Sequence, residues 1–182
     1  MRITTDFTTI PDNYAKAAPA DKKLDGQPIV SFPFYIDQLD PDVHYLHWAF
    51  TDPDSIPVCG FEWIHWGVAN LPIDALMFDF NDSHALSIPE DFSRTMVSMI
   101  PEAVQSRNSE ASKLVNATDP ALTQRYVGPN PPDKDHDYVL RVWATAEPVK
   151  GLSQGFWLNE LIDGLRDQHA TNPAWLVLTG KC

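Results

Sequence analysis

Sixteen prolines stand along this chain against eight glycines. A proline inside a helix removes a backbone donor and clashes with the turn before it, at a cost of roughly 3 kcal/mol. A bundle of long helices is therefore excluded, and loops and strand edges must absorb the prolines. The 182 residues, 43% hydrophobic and 11% aromatic, suit one globular domain of roughly 100–200 residues, so a single domain over 1–182 is expected.

Charge narrows the partners. Thirteen Lys and Arg oppose twenty-five Asp and Glu, a net charge of -12, and such a field repels phosphate backbones and anionic lipid surfaces. No nucleic-acid partner is expected. Apolar runs stay well short of the ~20 residues that span a bilayer, so no integral membrane association is expected. The stretch from Met1 to Asn13 has neither the basic start nor the apolar run of a signal peptide, and a cytoplasmic location follows as an expectation. Cys59 and Cys182 form no C-x-x-C pair and are read as free thiols.

From Gln27 to Phe80, aromatic and branched residues come in short stretches punctuated by Pro, Asp and Gly, a β pattern. His44–Phe50 and Trp63–Ala69 are strand candidates, with Leu46, Trp48 and Phe50 on one face. On such a strand His44 and His47 diverge, so their spacing makes a poor metal pair. Residues 81–125, rich in Ser, Asn, Asp and Glu, are expected as a long excursion with one or two short helices. Thr118 or Asp119 can cap a turn beginning at Pro120. Tyr138–Ala144 alternates like a half-buried strand, and Phe156, Leu158, Leu161, Ile162 and Leu165 recur at helical spacing. Ala174–Thr179 returns to strand character. The expected fold is mainly β: an antiparallel, sandwich-like core, peripheral short helices and one amphipathic C-terminal helix.

Three clusters carry chemistry. Asp52-Pro53-Asp54, with Pro57 after it, either stays extended with both carboxylates on one face or forms an Asp-Pro turn. His65 lies between Ile64 and Trp66 in an apolar strand, where a neutral ring satisfied by one backbone partner competes with a site beside a carboxylate. Tyr126-Val127-Gly128-Pro129-Asn130-Pro131-Pro132 makes a stiff loop in which Gly128 and Asn130 can take unusual dihedrals. His136 and Tyr138 follow it, facing the same way. The loop can equally be a surface connection, a polyproline ligand or a binding-site wall.

Together these clusters resemble the phosphatidylethanolamine-binding protein family, in particular its bacterial Raf-kinase-inhibitor-like branch. The family's D-P-D-x-P stretch, histidine before a tryptophan, G-x-x-P-P loop and H-R-Y triplet correspond here to Asp52-Pro53-Asp54 with Pro57, His65-Trp66, Gly128 to Pro132, and His136-Asp137-Tyr138. Weaker echoes occur at Asn70-Leu71-Pro72, at Val104-Gln105 with Asn108-Ser109, and at Leu178-Thr179-Gly180. The resemblance implies a small pocket for phosphate or a phospholipid head group, built from Asp52, Asp54, His65, Gly128, Pro131, Pro132, His136 and Tyr138. It also implies a non-catalytic protein without cofactor or metal, acting as a binding protein or inhibitor that modulates a kinase or peptidase; no particular protein target follows. Two departures stand out: Asp137 replaces the family's arginine, and one extra residue precedes Pro57.

An acidic pocket must reverse its sign locally to hold an anion. Asp52 is expected to accept a hydrogen bond from His136 or His65, so that an imidazolium and the Tyr138 hydroxyl donate to the anion. Backbone N–H groups near Gly128 add donors. Another version has Asp52 itself carry the proton that meets the anion. Both predict tighter binding at mildly acidic pH. The alternative function is a metal-dependent hydrolase using Asp52, His65 and His136.

Overall fold

Strands form where aromatic and β-branched side chains can pack on a pleated surface, and the computed structural model describes them over residues 1–78, 85–170 and 172–182. In chain order they are β1 (Arg2–Thr4), β2 (Lys23–Leu24), β3 (Gln27–Pro28), β4 (Phe34–Asp37), β5 (Tyr45–Asp52) and β6 (Trp63–Pro72). There follow β7 (Met77–Phe78), β8 (Leu86–Ile88), β9 (Val104–Gln105), β10 (His136–Thr145) and β11 (Ala174–Gly180). The α-helices are α1 (Ile56–Cys59), α2 (Phe92–Met99), α3 (Pro120–Thr123) and α4 (Leu158–Asp167).

One antiparallel sheet has the order β1-β4-β8-β7 and a second the order β11-β10-β5-β6-β9, while β2 and β3 pair alone. The mainly β expectation holds. Between the two sheets lies the main core, in which Phe34 and Ile36 of the first meet Leu46, Trp48 and Phe50 of the second. The Phe34 and Trp48 rings meet edge to face at 5.6 Å, a favoured aromatic geometry.

A second apolar cluster covers the opposite face of the larger sheet. There α4 lays Leu161 and Leu165 against Ala49, Ala69 and Trp143. Consequently β10 is not half-buried as its alternation suggests: only Asp137 is exposed, with Arg141 and Ala144 partly so. The helix begins two residues later than its apolar spacing implies. Phe156 precedes it yet packs in the same cluster, and the Glu160 carboxylate accepts the Trp157 N–H at 2.6 Å.

Residues 81–125 hold the short helices expected of them, α2 and α3, and depart from expectation in also supplying strands. Residues 81–84 lie outside the described residues, but the rest supplies β8 to the first sheet and β9 to the edge of the second, besides α2. Strands this short carry no readable periodicity. At α3 the Asp119 carboxylate caps the turn, accepting the Ala121 N–H at 2.8 Å. Cys59 and Cys182 are free thiols. Among the described residues no helix is long and apolar enough to cross a membrane.

Candidate functional site

Pro53 cannot continue the β5 ladder, so the chain leaves the sheet there through a 3-10 turn at Pro53–Ser55. Asp52, the last strand residue, is thereby left at the sheet end with its carboxylate turned inward. Oδ1 accepts the Ser55 N–H at 3.0 Å and Oδ2 meets His136 Nδ1 at 2.8 Å. The segment is thus the turn and not the extended pair. Asp54 points elsewhere: its carboxylate accepts the Asp137 N–H at 2.9 Å, and it does not line the cavity formed here.

His65 arrives by a different device. The pairing of β5 with β6 runs Phe50 to Trp66 and then Thr51 to Ile64, so His65 is the extra residue of a β-bulge. Bulges re-aim a side chain and are common beside functional sites. Its ring packs edge-on to Tyr138 at 5.2 Å and against Phe50 at 5.7 Å. Nδ1 donates to the Val127 carbonyl at 2.7 Å, which leaves Nε2 as the acceptor of a neutral ring. Burial pushes the His65 pKa down to about 4, against the smaller opposing pulls of the Val127 carbonyl and the Asp52 charge. Both readings of this histidine therefore apply: it is neutral with a backbone partner, and it lines a cavity.

His136 differs. Burial works against its charge, but the Asp52 and Asp133 carboxylates outweigh burial and raise its pKa. Nε2 lies 2.9 Å from Asp133 Oδ1, so both ring nitrogens are engaged by carboxylates. The expectation that Asp52 has an imidazole partner resolves to His136, and the expectation that this imidazolium donates to an anion is overturned.

Val127 and Gly128 form the wall beside these rings. The Val127 N–H donates to the His65 carbonyl at 3.1 Å and the Gly128 N–H to the Pro28 carbonyl at 2.8 Å. These two amides are spent, which leaves the Asn130 N–H, two residues on in the same lining, as the backbone donor near Gly128. Neither Gly128 nor Asn130 takes a left-handed backbone. Glycine is required at 128 by close approach instead, since a Cβ would overlap the Tyr14 carbonyl oxygen.

Tyr138 is fully buried between these elements. Its hydroxyl faces the Asp52 carboxylate and the Asn130 N–H but makes no hydrogen bond of good geometry. Burial first, and then the Asp52 charge, push its pKa upward, so it is a neutral phenol with a proton to give. A buried hydroxyl left unsatisfied costs ~1–3 kcal/mol and calls for a ligand or water.

These groups surround a cavity of about 250 Å³. Asp52, His65, Gly128, Pro131, Pro132, His136 and Tyr138 all line it; of the expected set only Asp54 does not. Sequence reasoning missed Glu110, which also lines it and is 5% exposed, its carboxyl pKa raised by burial. The available signal was the Asn108 cap, whose Oδ1 accepts the Glu110 N–H at 3.1 Å and fixes the turn at Ser109–Ala111. Val58, Trp63 and Val115 add an apolar side to the lining. Among the described residues no three His, Cys, Asp or Glu side chains converge as a metal-binding group.

Two facing antiparallel sheets, with a small cavity at the end of β5, β6 and β10 of the larger one that sets a few acids, imidazoles and a phenol in a largely apolar lining, define a ligand-binding β protein. The chain belongs to the phosphatidylethanolamine-binding protein family, whose profile matches residues 3–178. It is 38% identical over 156 residues to the uncharacterized protein YxkA of Bacillus subtilis, covering 86% of this chain and 84% of that one. A UPF0098 protein of Archaeoglobus fulgidus is 30% identical over 133 residues, 73% of this chain but 37% of that protein. The fold is shared with the E. coli protein YbcL (TM-score 0.70, 17% identity, 100% and 98% of the two chains). It is shared also with the homologue CT736 of Chlamydia trachomatis (TM-score 0.65, 20% identity, 100% and 95%).

Proposed function

We propose that this protein binds a small oxyanion, phosphate or the phospho head group of a larger molecule, in the cavity between Asp52, His65 and Tyr138, and that it acts by binding and not by catalysis. The observation that carries this reading is the buried Tyr138 hydroxyl, which makes no hydrogen bond of good geometry although the Asp52 carboxylate and the Asn130 N–H face it. A second contact comes from His65. Its bare Nε2 accepts a proton shared with the anion, whether the ligand brings that proton or the ring takes it up as the negative charge arrives. Either way the complex holds one proton more than the neutral ring and the fully ionised ligand hold apart, so binding tightens as pH falls. The hydroxyl and thiol nearest the cavity are engaged: the Ser55 hydroxyl accepts the Trp63 N–H at 2.8 Å and has its one proton within reach of the Asp52 and Phe61 carbonyls at 2.6 and 2.8 Å, and the Cys59 thiol donates to the Phe61 carbonyl at 3.3 Å.

Free phosphate has about five heavy atoms, and at no more than roughly 1.5 kcal/mol each the ceiling is ~7.5 kcal/mol. Affinity for the bare ion is thus millimolar to high micromolar. The apolar side of the cavity, Val58, Trp63 and Val115, fits the carbon substituents of an organic phosphate. Modulation of a kinase or peptidase would follow from holding a phosphorylated group of that target. Isothermal titration with phosphate between about pH 5 and pH 8 tests the reading. Affinity must rise on acidification, and an affinity that is unchanged or stronger at the alkaline end removes it.

A further inference from the structure

Glu110 plays no part in the site that the family resemblance outlines, yet it lines the same cavity and is 5% exposed. The backbone around it is pinned. Asn108 Oδ1 accepts the Glu110 N–H, the Ala117 N–H donates to the Glu110 carbonyl at 3.0 Å, and the Ile64 N–H donates to the Ser109 hydroxyl at 2.8 Å. That last bond ties the turn to β6 one residue before His65. The carboxyl itself has no hydrogen-bond partner or counter-ion among the described residues.

The titratable groups that share the cavity with Glu110 are Asp52 from β5, Cys59 from α1, His65 from β6, and His136 and Tyr138 from β10. No Lys or Arg occurs among the described residues of the lining. His136 is the one raised imidazole there, and it is held between Asp52 and Asp133. Nothing is left to neutralise Glu110.

We propose that Glu110 sets the charge of the ligand, admitting singly charged oxyanion esters and rejecting doubly charged oxyanions. The inference rests on the anion-binding function proposed above and adds a filter to it. A monoanion needs one donor, which Tyr138 supplies, and its ester substituents lie against Val58, Trp63 and Val115. A dianion meets an uncompensated carboxylate across a partly desolvated cavity, where like charges repel more strongly than in bulk solvent and a second negative charge adds to the repulsion. Protonation of Glu110 would lift the block and turn the carboxyl into a second donor.

Isothermal titration of the full chain with two probes tests this: dimethyl phosphate, a monoanion, and sulfate, a dianion. At about pH 7.5 the wild type is expected to bind dimethyl phosphate at least about tenfold more tightly than sulfate. Glu110→Gln should tighten sulfate by about tenfold and change dimethyl phosphate less than about threefold. An unchanged ratio between the probes overturns the filter while leaving the anion site standing, as does a folded Glu110→Gln protein that loses dimethyl phosphate, because Glu110 would then hold the ligand. Wild type binding neither probe overturns the anion site itself, and the filter with it. Should Glu110→Gln not fold, the wild-type pH series decides: sulfate affinity must rise more steeply on acidification than dimethyl phosphate affinity, and parallel curves overturn the proposal.

Discussion

His136 and Asp52 stand 84 residues apart in the chain and 2.8 Å apart in the fold, both side chains almost wholly buried. The pair closes the cavity between β5 and β10, whose ladder sets Val139 opposite Thr51. Removing one partner of a buried pair leaves the other charge without compensation, at about 3–5 kcal/mol. His136→Ala is therefore expected to lower unfolding stability by about that amount in a urea titration. Asp133, the exposed partner of the same ring, should matter far less, and Asp133→Ala should shift the midpoint only slightly.

The histidines titrate in opposite directions. The neighbouring carboxylates raise His136, so its contribution to stability is fully present below its unfolded pKa of about 6.5 and is lost as pH rises through the higher folded value. Burial lowers His65 and His47 to about 4. Their contribution is present above about 6.5 and is lost as pH falls toward 4. Proton-detected NMR titration should show a charged His136 ring above pH 6.5 and uncharged His65 and His47 rings well below it. Equal midpoints for the three would contradict the geometry.

Tyr138→Phe separates binding from folding. It removes a buried hydroxyl that makes no hydrogen bond of good geometry, so stability should stay constant or increase. Phosphate affinity should fall at least about tenfold, the worth of a hydrogen bond to a charged group at ~1.5–3 kcal/mol. A stable variant that binds phosphate as well as wild type would remove Tyr138 from the site.

Asp54→Asn tests the family-based assignment directly. Because Asp54 accepts from the Asp137 backbone outside the cavity, phosphate affinity should change less than about twofold. A tenfold change in calorimetry would place Asp54 back among the binding groups.

Gly128→Ala forces a methyl group into the Tyr14 carbonyl. The backbone must shift, with an expected loss of about 1–3 kcal/mol and weaker phosphate binding together, since the same residue carries the wall next to His65. Thermal melting and calorimetry on one preparation check both.

Much of the scaffold is legible locally. The aromatic and branched runs of β5 and β6, the apolar spacing of α4 and the Asp119-Pro120 cap are each set within a few residues, by pleat, helical period and hydrogen-bond reach. Seven cavity residues could be named from motif order alone, although order gives no hydrogen-bond partners. Asp54 does not line the cavity because Pro53 turns the chain in a 3-10 geometry, which separates two carboxylates that an extended strand would align. The strands β8 and β9 are too short to show a period, and Glu110 sits on a turn whose packing against β6 depends on contacts made 45 residues away.

The sequence by itself determined the long strands β5, β6, β10 and β11, the helix α4 and which acids, imidazoles and phenol are available. Only the tertiary structure decided what each of them does. One extra residue at His65 changes the side chain's direction, and the approach of Asp133 and Asp52 occupies both nitrogens of His136. Such outcomes turn on ångström-scale distances between remote strands, and charge, desolvation and hydrogen bonding vary steeply over those distances while local periodicity does not.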